Sequence, residues 1–185
     1  MTLIPDNVIA VLETAALGVA GLFLVLAVNS FFSRRISLKY EVRARRYMAR
    51  KRYNVALYFF FHAVLSIVLV QIGAIVIWAG VLMGMGIVPD IVQALLFAGS
   101  CYTTLGFVSD IAQDHWRLMP ILIAISGIFS LALSTANVVG MAPLYRRAWF
   151  AKHARHVREL MIAENVDPAE VGLAFLVEEE DGPRR

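Results

Sequence analysis

Ser100-Cys101-Tyr102-Thr103-Thr104-Leu105-Gly106-Phe107-Val108-Ser109-Asp110 is the stretch on which the reading of the chain turns. It is rich in small and hydroxyl-bearing residues and lies between two strongly apolar segments. The apolar run before it, Ile91 to Ala98, is too short to cross a bilayer, which takes about 20 residues of helix. A half-crossing run, a Thr/Gly-rich turn and then a full crossing is the pattern of a re-entrant loop. Irregular backbone at membrane depth is tolerated only where it lines a cavity or is buried in protein. The stretch is therefore expected to form an ion-conducting filter, with the remaining segments as its support.

Composition agrees with a membrane setting. The chain has 185 residues, of which 59% are hydrophobic, and a mean hydropathy of +0.70. Several runs exceed the roughly 18 apolar residues that mark a crossing helix, which excludes an ordinary soluble domain. Cys101 is the single cysteine, so neither an intrachain disulfide nor a thiolate metal site is available. Met1 to Asn7 lack the basic residues of a secretory signal, and the following apolar run is too long for one, so it is expected to stay as a permanent helix.

Working outward, residues 8–32 form a first crossing segment, broken only by Glu13, Thr14, Asn29 and Ser30. Residues 33–53 form a basic linker with nine Lys and Arg (Arg34 to Arg52) against Glu41 alone, without Gly or Pro, so helix can continue through much of it. Such a loop belongs in the cytoplasm and can lie on anionic lipid headgroups rather than on nucleic acid. Residues 54–145 hold an outer helix, with His62 and Gln71 inside it, then the half-crossing helix, the filter stretch and a third span. Pro89 and Asp90 start the half-crossing helix, where Pro and an acid both suit a first turn. In the third span Ser130, Ser134 and Asn137 follow helical spacing and share a face, expected to turn toward other helices or water. Residues 146–185 form a tail, basic from Arg146 to Arg158, with Trp149, Phe150, Val157, Leu160 and Met161 spaced for an amphipathic interfacial helix.

Both basic clusters belong inside, which gives three spans with the N-terminus outside and the C-terminus cytoplasmic. The filter stretch then opens outward, beside Asp6, Glu13, Asp90, Asp110 and Asp114 and against Arg117 alone. That asymmetry would concentrate cations at the outer mouth.

Ala94-Leu95-Leu96-Phe97 followed by Tyr102-Thr103-Thr104-Leu105-Gly106-Phe107 resembles the pore helix and Thr-Thr-Val-Gly-Tyr-Gly filter of tetrameric potassium channels. Trp116-Arg117-Leu118 and the run Ser126-Gly127-Ile128-Phe129-Ser130-Leu131-Ala132-Leu133-Ser134-Thr135-Ala136 look like the inner helix of the bacterial two-helix type. The resemblance spans about Ala56 to Met141, leaving the first helix and the tail outside it. It implies an all-α membrane protein with a re-entrant pore helix and filter between the second and third spans, assembled as a homotetramer in a plasma membrane, here a bacterial inner membrane. Thr103, Thr104, Leu105, Gly106 and Phe107 would form the ion-binding filter, with the monovalent cation at Thr104 to Phe107. Val108, Ser109 and Asp110 would form its outer mouth. Gly127 would be the inner-helix hinge, and Ser130, Ser134 and Asn137 would line the cavity. Potassium or sodium would be the permeant ion, with no cofactor.

Three departures stand out. Val108 replaces the second filter glycine, although a β-branched residue strongly disfavours positive φ. Phe107 lacks the tyrosine hydroxyl, and the acid comes one place late, at Asp110. They loosen the expectation of strict potassium selectivity. The alternative is a channel-like membrane interaction or regulatory subunit that does not conduct. An enzyme is disfavoured because His62 and His115 have no Ser-His-Asp, His-x-x-x-His or paired-carboxylate arrangement around them.

Overall fold

The computed structural model describes residues 6–106, 116, 118–168 and 172–173, with side chains from Thr14 onward. Five helices follow in order: α1 (Asp6–Ala49), α2 (Tyr53–Gly84), α3 (Ile91–Tyr102), α4 (Met119–Lys152) and α5 (Ala154–Ala163). No strand occurs among the described residues. α1, α2 and α4 are each long and apolar enough to cross a membrane. The 12 residues of α3 extend about 18 Å, little more than half of a hydrocarbon core of about 30 Å.

α1 runs on through the basic segment to Ala49, as the lack of Gly and Pro there allows, with Arg, Lys, Ala and Met favouring helix. Two other helix boundaries differ from the sequence expectation. α4 continues through Pro143 to Lys152. α3 continues past Gly99 to Tyr102, so Ser100, Cys101 and Tyr102 are its last turn rather than the start of a loop. Cys101 and Tyr102 complete the buried face begun by Ala94, Phe97 and Ala98, and apolar burial at these steps extends the helix.

Contacts divide the chain into two compact units, Met1–Ser37 with Val64–Val138, and Leu38–Ala63 with Val139–Arg185. In the first unit, α1 presents a buried seam of mostly small residues at steps of three and four: Thr14, Gly18, Gly21, Val25, Asn29 and Ser33. Small residues let helix backbones approach closely where water supplies no driving force. Gly21 lies under the fully buried Trp78 of α2, and a Cβ there would stand 2.8 Å from the indole ring. Gly18 lies against α4, where a Cβ would be 3.2 Å from Met119 Sδ. The first helix is thus packed on both later spans. Trp78, Leu82, Val88, Ala94, Phe97, Ala98, Cys101, Tyr102, Met119 and Ile123 make the core beside it.

The second unit is held by aromatic rings. Phe60 lies between Tyr40 at 5.7 Å and Tyr145 at 4.5 Å, and Phe59 packs on Tyr47 at 5.4 Å. In α5, Val157 and Met161 are buried against Phe150, Ala154 and Leu173, while Leu160 is exposed.

Candidate functional site: the closed end of helix α3

Asp90 caps α3. Its backbone is extended, and its carboxylate accepts the Gln93 N–H at 2.9 Å. Asp90 therefore precedes the first turn instead of sitting inside it, and its side chain satisfies one of the orphan N–H groups there.

The other end closes in a Schellman arrangement. The Thr104 N–H donates to Cys101 O at 3.0 Å and the Leu105 N–H to Ser100 O at 2.9 Å. Thr103 returns both its N–H and its hydroxyl to Gly99 O, at 2.9 and 2.7 Å. The closure puts Thr104 in the left-handed region at φ 59°, with Gly106 following at 74°. Lys51, Gly86 and Asn165 hold the same position after α1, α2 and α5. Glycine and asparagine suit that conformation, whereas threonine is the β-branched exception. Left-handed backbone costs an L-residue about 1–2 kcal/mol.

Beyond this closure Thr103, Thr104, Leu105 and Gly106 are all exposed, with Leu105 at 80%. No described residue donates a hydrogen bond to their carbonyl oxygens. The Tyr102 carbonyl is pressed against α4 instead. A Cβ at Gly127 would overlap its oxygen and lie 2.8 Å from its carbon. Gly127 is thus the point where the end of α3 meets the backbone of α4.

Behind the end of α3 lies a buried polar cluster drawing on four helices. The Tyr102 hydroxyl donates to Gln71 Oε1 at 2.6 Å. The same oxygen accepts from Asn29 Nδ2 at 3.2 Å. Gln71 Nε2 donates to the Ser130 carbonyl at 3.2 Å and to the Ser134 hydroxyl. Asn29 Oδ1 accepts from Ser33 at 2.9 Å and from Ser134 at 3.3 Å. Further along, Asn137 Oδ1 accepts from Ser37 of α1 at 3.5 Å. Hydrogen bonds among polar groups in an apolar interior are directional, which constrains the relation of the bonded members; the buried Ser130 hydroxyl has no partner among the described residues.

The sequence-expected residues thus fall into three groups. Thr103, Thr104, Leu105 and Gly106 are brought together at the exposed end of α3. Ser130, Ser134 and Asn137 do share a face, and it turns toward Asn29, Ser37 and Gln71 of this same chain. Phe107, Val108, Ser109 and Asp110 lie outside the described residues, as do Gln113, Asp114, His115 and Arg117. His62 is exposed, its ring 6.4 Å from Tyr58, and no group of three His, Cys, Asp or Glu among the described residues could hold a metal.

Sequence reasoning missed the role of Tyr102, Gln71 and Asn29 as a connected set. A lone amide in an apolar segment was the available signal at Gln71 and Asn29, but spacing along one helix does not name a partner on another. No protein-family model, curated protein or solved structure matches the chain.

Proposed function

We propose that the chain is one subunit of a symmetric homotetrameric pore-loop cation channel. It passes potassium, or monovalent cations with weak selectivity, through Thr103 to Phe107. The observation that carries this reading is the carbonyl row of the exposed residues Thr103 to Gly106. Its oxygens have no donor among the described residues and stand at the closed end of a half-crossing helix between two crossing-length ones. At membrane depth such oxygens need water, a partner or an ion. Four chains around one axis would turn the row into stacked rings that replace an ion's hydration shell.

In this reading the Ser134 hydroxyl is engaged within the chain, and the cavity wall is the exposed α4 stripe of Ile128, Ala132 and Thr135, whose steps of four and three keep one face. That wall is largely apolar and would gate by dewetting. The basic segments sit on the cytoplasmic side and the N-terminus outside, by the positive-inside rule.

Thr104→Gly tests the filter assignment. Relief of the left-handed strain should stabilise the fold by about 1 kcal/mol, read as a higher thermal midpoint in detergent. Loss of the hydroxyl should cut potassium flux into liposomes about tenfold, the equivalent of about 1.4 kcal/mol at the ion path. Unchanged flux would take Thr104 off that path.

A further inference from the structure

The first unit carries a groove that the channel reading does not use. It lies open on the surface between α1 and α2, has a volume of about 600 Å³, and is lined by Val28, Phe32, Leu69, Ile72, Gly73 and Val76 among other apolar residues. Gly73 makes the room: a Cβ there would meet nothing within 4 Å. The groove therefore presents aliphatic walls with almost no polar atom, on helices long and apolar enough to lie in a bilayer.

Its α1 wall has a charged continuation. Val28, Phe32 and Arg35 follow at steps of four and three, so they form one stripe. Helical side chains lean back toward the N-terminus, which brings the Arg35 head toward the groove's end. The guanidinium sits over the Phe31 ring at 4.9 Å, and that ring in turn meets the ring of the groove residue Phe32 at 5.5 Å. It is exposed, and no carboxylate among the described residues pairs with it. Arg34 precedes it. From Val28 to Arg35 the helix rises about 10 Å, within the roughly 15 Å depth of one leaflet. An apolar slot of leaflet depth with an unpaired cation at its end fits a molecule with an apolar chain and an anionic head.

We propose that the α1–α2 groove is a binding site for one anionic phospholipid, its acyl chain along Val28, Phe32 and Gly73 and its phosphate at Arg35. Zwitterionic lipid fills the slot equally well but gains less at Arg35, because a lysine or arginine near the surface favours anionic lipid about fivefold. The site requires membrane insertion, not conduction, so it stands or falls independently of the channel reading.

Native mass spectrometry of the full chain in detergent, titrated with phosphatidylglycerol and phosphatidylcholine, tests it. The expected result is one saturable phosphatidylglycerol bound about fivefold more tightly than phosphatidylcholine. Arg35→Gln, at an exposed position, should abolish that preference. Gly73→Leu, which places its side chain into open space, should remove the tight site for both lipids. Arg46→Gln, on the same basic stretch, should change neither. Equal affinity for the two lipids, no effect of Gly73→Leu, or an Arg46→Gln loss matching that of Arg35→Gln would overturn the proposal. So would a change of oligomeric mass on Gly73→Leu, which would make the occupant a second copy of the chain.

Discussion

Gly127 and Gly140 stand on the same helix and meet an added methyl group in opposite ways. At Gly127 it would strike the Tyr102 carbonyl, whereas at Gly140 nothing lies within 4 Å. Gly127→Ala should destabilise the fold by about 1–3 kcal/mol through overpacking. Gly140→Ala should be neutral or stabilise by up to about 1 kcal/mol through helix propensity. Reversible unfolding in mixed micelles reads both, and equal effects would contradict the close approach of α3 to α4. A conserved-looking spacing was not needed to notice Gly127 in the sequence, since a glycine inside a long apolar helix invites either a bend or a close contact. The sequence does not tell these two apart, because the contacting atom belongs to a residue some two dozen places away. The Thr-Thr-Leu-Gly run stood out in the sequence, but not as the closure of a helix. Its chemistry is local, and helix closure at Thr104 uses only hydrogen bonds within the run and the turn before it.

Among the elements, α1 gains the most from the structure. As sequence it is an apolar span outside the channel resemblance. As structure it supplies Gly18, Gly21, Asn29 and Ser37 to contacts with α2 and α4. Such contacts are illegible in one sequence, because a seam of small residues is equally suited to a partner in the same chain or in another. The three crossing-length helices and the short α3 were legible because apolar length alone specifies them. Their ends were less so: α4 continues past the apolar stretch as polar helix, which hydrophobicity does not register, whereas for α1 the lack of Gly and Pro in the basic stretch already allowed it. The link from α2 to α3 is testable as a double-mutant cycle on Tyr102 and Gln71. Tyr102→Phe should cost about 0.6 kcal/mol, the usual worth of one interhelical hydrogen bond in a membrane. Gln71→Leu should cost more, because Asn29, Ser134 and Tyr102 all lose a partner. In the Gln71→Leu background the Tyr102→Phe change should then cost nothing further. Full additivity of the two would show that the hydrogen bond between them contributes nothing.

At the scale of the whole molecule, the basic residues are sorted. Every Lys and Arg from Lys39 to Arg52 and from Arg146 to Arg158 belongs to the second unit, together with the Tyr40–Phe60–Tyr145 aromatic contacts. The end of α3 and the polar cluster belong to the first. Arg34 and Arg35, the start of the first basic stretch, belong to the first unit. The proposed conduction would belong to the first unit in an assembly of four copies. Its most direct test is potassium and sodium flux into liposomes that contain the purified protein, with the assembly mass measured on the same preparation. The account predicts a tetramer that passes potassium at least as well as sodium. A correctly assembled tetramer that passes neither ion would contradict it and leave the chain as a non-conducting membrane subunit.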